Sequence, residues 1–115
     1  MNLGDIYWVD LPQLSGHEQA GSRPAVIMQD EEYAGQLPVV LVVPLTLATK
    51  TLRFPGTCLI EPTSDNGLQG PSVALVFQLR AIDRRRIRDR IGRVDPEVLS
   101  QLLTTLDRLL GRTQQ

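Results

Sequence analysis

Three polar groupings interrupt an otherwise apolar, strand-forming sequence, and each could do chemistry. The first runs from Pro12 to Ser22 and gathers Ser15, His17, Glu18, Gln19 and Ser22 around Gly16 and Gly21, then leads into Arg23-Pro24. A loop of this composition can reach a substrate while the strand beyond it aims the arginine back toward the loop. The plainer alternative is a solvated arginine at a strand end. The second grouping is Thr46-Leu47-Ala48-Thr49-Lys50, where the most apolar stretch gives way to two hydroxyls and the sole lysine. Hydroxyls at a strand end can donate to a ligand, although threonine is also simply a good strand former. The third is Gln78 followed by Arg80, within Ser72 to Asp83. A buried amide needs partners, which a neighbouring loop or a nucleobase edge could supply. With one histidine and one cysteine (Cys58), the usual zinc and iron–sulfur ligand sets are excluded. Only Asp30-Glu31-Glu32 clusters carboxylates, so metal-dependent chemistry and a metal site are not expected.

Charge is unevenly spread. Residues 1–79 carry eight acids against three bases, and residues 80–115 carry nine bases against five acids. Seven of the eleven arginines lie between Arg80 and Arg93. Arginine over lysine favours forked recognition of phosphate or carboxylate, so the patch suits RNA, DNA or an acidic protein. The alternative is a solvated turn with local ion pairs to Asp83 and Asp89.

These groups must be held by a single domain, because 115 residues bury roughly two thirds of the unfolded surface around one core. The longest apolar stretch, Val39 to Val43, is far too short to cross a membrane. A lone cysteine and an N-terminus without a leader pattern point to a reducing cytoplasm. Five strands are predicted: Gly4 to Leu11, Pro24 to Gln29, Pro38 to Leu45, Gly56 to Glu61, and Ser72 to about Leu79. The continuous Val/Leu content of the third predicts burial on both faces. A turn cluster, Pro62 to Pro71, separates the last two. Asp95 as N-cap, Pro96 at the first helical position and Gly111 beyond the last leucines bracket an amphipathic helix. Its apolar face, built on Val98, Leu99, Leu102, Leu103, Leu106, Leu109 and Leu110, is expected to seal the core. Short strands with frequent turns predict a small barrel or sandwich.

The three groupings together resemble the MazF/PemK family of toxin endoribonucleases. The resemblance rests on Gly4 to Leu11, on Gly16-His17-Glu18-Gln19-Ala20-Gly21-Ser22-Arg23-Pro24-Ala25-Val26-Ile27, on Val43-Pro44-Leu45-Thr46, and on Gln78 to Asp83 before Ile91-Gly92-Arg93-Val94. It covers nearly the whole chain, and the Glu-Gln-Ala-Gly-x-Arg-Pro-Ala-Val segment is its most specific part. What it implies is a mainly β, SH3-like small barrel with a C-terminal helix, a homodimer with RNA in a groove at its interface, and cofactor-free cleavage of single-stranded mRNA. It further implies inhibition by a MazE-like antitoxin with an acidic, initially disordered segment.

By position, Arg23 and Thr46 match the family's catalytic arginine and threonine. Attack of a ribose 2′-OH on the adjacent phosphorus builds negative charge that arginine and hydroxyl donors can stabilise. Arginine is too weakly acidic to serve as base near neutrality, which leaves His17 or Glu18 to accept the proton. The resemblance adds Gln19, Lys50, Arg53, Phe77, Gln78 and Arg80 as candidates for RNA contact. Two positions depart from the pattern. Phe77 stands where several relatives carry an acid, and Leu47 where many carry a small hydroxyl residue, so base selection is expected to differ. As a strand residue Phe77 is expected in the core; facing a groove it would stack on a base. The competing class is a CcdB-like toxin that poisons gyrase by binding, but this chain ends Arg112-Thr113-Gln114-Gln115 rather than in that type's Trp-Gly-Ile.

Overall fold

Alternation of apolar residues to two faces organises the sheet. The computed structural model describes residues 1–12 and 20–112. Seven antiparallel strands follow in chain order: β1 (Asp5–Leu11), β2 (Gly21–Ile27), β3 (Val39–Thr46), β4 (Thr57–Ile60), β5 (Ser72–Leu75), β6 (Arg80–Asp83) and β7 (Ile87–Arg93). The path through the sheet is β4-β5-β3-β2-β1-β7, with β6 also on β3. β3 pairs with β6 through Val39 to Val42 and with β5 through Leu45 and Thr46. Pro44 lies where it passes from one neighbour to the other, and the sheet bends there into a small barrel-like form.

Ile6, Val26, Val43, Leu45, Ile60, Ala74 and Val76 bury one face of this sheet. Val9, Leu11, Ala25, Ile27, Val40, Val42 and Ile82 bury the other. Two-faced burial therefore holds for β3 from Val42 onward, whereas Val39 and Leu41 are exposed. Helix α2 (Pro96–Leu109) closes the first face with Leu102, flanked by half-buried Val98, Leu99 and Leu106. Asp95 caps it by accepting from Val98 N at 2.8 Å, and Gly111 ends it at a φ of 75°, as its sequence signals predict. Only part of the leucine face seals the core, since Leu103, Leu109 and Leu110 stay exposed.

Three expectations need correction. Arg80 to Arg93, read as a patch or turn, forms two further strands, and β7 is an edge strand whose Arg88, Asp89 and Arg90 face solvent. Charged edges of this kind discourage further strand pairing and carry no apolar alternation to read. The fifth strand stops at Leu75, where a 3₁₀ turn, Val76–Gln78, rotates the chain off its alternation. Phe77 is consequently 43% exposed rather than in the core, and its ring meets Phe54 edge-on, with centroids 6.1 Å apart. The acidic trio also has a structural use, for Asp30 caps the one-turn helix α1 (Glu31–Ala34), donating nothing and accepting from Glu32 N. No described helix is long and apolar enough to cross a membrane.

Candidate active site

Arg23 sits near the start of β2, opposite Val9 of β1. The strand opens at Gly21, whose φ of 84° suits glycine and turns the chain sharply into the sheet. Half-buried, Arg23 donates from Nε to Ala20 O at 3.0 Å, which fixes the guanidinium plane and, among the described residues, leaves its terminal amino groups for a ligand.

Thr46 ends β3 and is 7% exposed. Its Oγ1 accepts from Ala48 N at 3.2 Å, so the hydroxyl proton remains to be donated elsewhere. The β2–β3 register pairs Ala25 with Pro44. Arg23 and Thr46 each lie two residues beyond that pair, near the ends of the two neighbouring strands. The two side chains line a single cavity of about 330 Å³, together with Trp8, Ser22, Pro24, Leu45, Leu47, Ala48, Gly67, Leu68, Gln69, Ser72 and Ile91. Arg23 is the one charged group among these described residues. A lone guanidinium and a hydroxyl in a largely apolar hollow favour an anion, because the low-dielectric surroundings strengthen both interactions.

The far wall comes from the turn cluster. Buried Asn66 organises it: Oδ1 accepts from Thr63 N and Leu68 N, both at 3.0 Å, and Nδ2 donates to Glu61 O at 2.9 Å. This loop lies directly on β7, where Arg93 N donates to Asp65 O at 3.0 Å. Gly92 permits that approach, because a Cβ there would fall 2.3 Å from Asp65 O and 2.7 Å from Asn66 C. Gly92→Ala is therefore expected to lower the melting temperature by several degrees, following a typical overpacking cost of about 1–3 kcal/mol, and to reduce activity with it. Thermal denaturation checks this against Gly35→Ala, where nothing stands within 4 Å of the new methyl.

Other sequence candidates lie elsewhere. Lys50 and Arg53 are exposed on a 3₁₀ turn, Thr49–Arg53, with the Arg53 guanidinium 4.8 Å over the Phe54 ring. Gln78 and Arg80 are half-buried, Arg80 opening β6 opposite Val42. With Phe77, none of these five lines the cavity. His17, Glu18 and Gln19 fall outside the described residues. Trp8, Leu68, Gln69 and Ile91, which do line it, were not singled out from sequence; an exposed tryptophan within an alternating strand was the available sign of Trp8.

Ion pairs in the arginine-rich segment are mostly between strands. Arg88 reaches Asp10 at 2.6 Å and Arg90 reaches Asp5 at 3.4 Å, tying β7 to β1. Arg85 grips Asp83 with two 3.0 Å hydrogen bonds, and these hold the Asp83 carboxyl down at about 2. Asp89, expected to pair locally, has no ion pair among the described residues, nor do Arg84, Arg86 and Arg93.

The sequence from residue 2 to 110 matches the family described as "PemK-like, MazF-like toxin of type II toxin-antitoxin system". The chain belongs to this family. This MazF-like toxin is 31% identical over 111 residues to the endoribonuclease MazF of Staphylococcus saprophyticus, covering 96% of this chain and 92% of that one. Its fold superposes on the crystal structure of MazF from Deinococcus radiodurans with a TM-score of 0.82, at 28% identity and 96% coverage of both chains. A MazE-MazF crystal structure from the same organism matches at a TM-score of 0.75 and 26% identity, covering 98% of this chain and 97% of that one. The expected SH3-like small barrel with a C-terminal helix is thus the fold of the MazF-like toxin, and its family and relatives favour an endoribonuclease toxin over a CcdB-like gyrase poison on the same fold.

Proposed function

We propose that this single-domain MazF-like toxin is an endoribonuclease that cleaves single-stranded mRNA in the cytoplasm, with Arg23 and Thr46 stabilising the transition state. The observation that carries the reading is their convergence on one cavity in which Arg23 is the only charge among the described lining residues. The substrate supplies its own nucleophile. Its 2′-OH attacks the adjacent phosphorus, the bond to the 5′-oxygen breaks, and the products carry a 2′,3′-cyclic phosphate and a 5′-OH. The terminal guanidinium nitrogens and the Thr46 hydroxyl hydrogen-bond the non-bridging oxygens as charge accumulates there. No imidazole or carboxylate is among the described lining residues. We assign the proton acceptor to His17 or Glu18, which precede Arg23 by a few residues in the sequence.

The relative captured as MazE-MazF supports an antitoxin partner here, and a homodimer is the assembly the family resemblance implies. Arg84 and Arg86, exposed beside β7, suit an approaching RNA backbone. Replacing both with alanine should flatten the salt dependence of RNA binding by about 0.7 in logarithmic slope per lost phosphate contact, leaving the chemical step near wild type. Fluorescence anisotropy across a salt series reads this directly.

The deciding experiment incubates antitoxin-free protein with a long mixed-sequence RNA in EDTA and maps the product ends. Discrete cuts with 5′-OH ends are expected. Intact RNA would overturn the reading in favour of a binding toxin such as a gyrase poison.

A further inference from the structure

The cavity is built for more than a phosphate. Beside Arg23 and Thr46 its walls are largely apolar, and the largest of them is Trp8, which is 40% exposed although it belongs to a strand whose neighbours Ile6 and Val9 are fully buried. Its cross-strand partner is Pro24, the residue next to Arg23. Directly paired strand positions lie about 4.5–5.5 Å apart, so indole and pyrrolidine are neighbours on one face, and both line the cavity that Arg23 and Thr46 also line. At about 330 Å³ the hollow is near the small end of the range for ligand pockets, about 300–1,000 Å³, which suits one nucleotide rather than a longer stretch. Gln69, also on the lining and exposed, has an amide that can both donate and accept at a base edge.

We propose that Trp8 is a substrate-positioning residue whose indole stacks on the nucleobase adjoining the scissile phosphate. The assignment rests on the ribonuclease reading above and deepens it. A phosphodiester held only by Arg23 and Thr46 could still rotate about its own bonds; a base clamped against Trp8 fixes the ribose and with it the line of attack of the 2′-OH. Stacking is tolerant of base identity, so the indole contributes affinity and alignment, while a neighbouring amide selects among bases.

Trp8 is the sole tryptophan, so its emission reports on this site alone. Once wild-type cuts are mapped, a 2′-O-methyl copy of the cleaved sequence binds without reacting and can be titrated against wild-type protein. Saturable quenching of the emission is expected, and it should vanish when the nucleotide 5′ to the cut is made abasic. In cleavage assays Trp8→Ala should raise KM roughly 10- to 100-fold, with a smaller change in kcat, and Trp8→Phe should restore most of the loss. Unchanged emission while labelled RNA binds by anisotropy, or wild-type KM in Trp8→Ala, would overturn the assignment and leave the ribonuclease reading intact. Should Trp8→Ala fail to fold, the wild-type titration decides. Failure of the wild type to cut any RNA would instead remove the ribonuclease reading, and the assignment with it.

Discussion

Arg23→Ala should cleave RNA roughly 10²–10³-fold more slowly than the wild type, the usual cost of removing one preorganised donor from a developing oxyanion. The melting temperature should barely move. Arg23 is half-buried near a strand start, and among the described residues it bonds Ala20 O, close to the surface. Arg23→Lys separates charge from geometry. A lysine keeps the positive charge but not the planar fork, so it should recover RNA binding better than it recovers the chemical step. Single-turnover cleavage with saturating protein, run beside binding by anisotropy, distinguishes the two. An alanine variant that turns over at the wild-type rate would remove Arg23 from the mechanism.

Thr46→Val should cost a comparable factor in the chemical step, about 10², through loss of a single donor. Valine preserves the β-branched shape at the end of β3, so packing against the sheet is retained. The group left without its acceptor is Ala48 N, which belongs to an exposed residue and can turn to water. Stability should therefore fall by no more than about 1 kcal/mol. Thr46→Ser restores the hydroxyl and should recover most of the rate. If Thr46→Val and Thr46→Ser cleave alike, the hydroxyl is not a catalytic donor. Single-turnover rates and thermal melts of the two variants provide the comparison.

Much of this architecture was legible because local signals and tertiary demands agreed. β1 to β4 carry apolar runs punctuated by Pro and Gly, and α2 has its cap, proline and terminal glycine where the structure uses them. β6 and β7 were hidden for a physical reason. β6 is only four residues long with a single core residue, Ile82, and β7 is an edge strand held by backbone hydrogen bonds to one neighbour, its Arg88, Asp89 and Arg90 all exposed. Phe77 misled because a single 3₁₀ turn breaks the two-residue alternation, which composition does not reveal. Arg23 and Thr46 were visible as polar groups at strand ends, but only the pairing of β2 with β3 brings those ends side by side on one cavity. The apolar walls were less accessible still. Trp8, Leu68 and Ile91 meet through pairing of β1 with β7 and through the Asn66-organised loop, contacts between segments far apart in the chain.

That distance has a consequence for timing. One wall of the cavity carries Trp8 and another Ile91, and β1 finds its outer partner only in β7. A nascent polypeptide that stops short of β7 has Arg23 and Thr46 but lacks Ile91, the backbone on which the Asn66 loop rests and the hydrogen bonds that complete β1. Nonlocal pairings of this type also form slowly, since loop closure must precede the contacts that reward it. The cavity is therefore complete only once residues through β7 have been made, and a chain truncated before Ile87 should cleave no RNA, which a cleavage assay on that fragment checks.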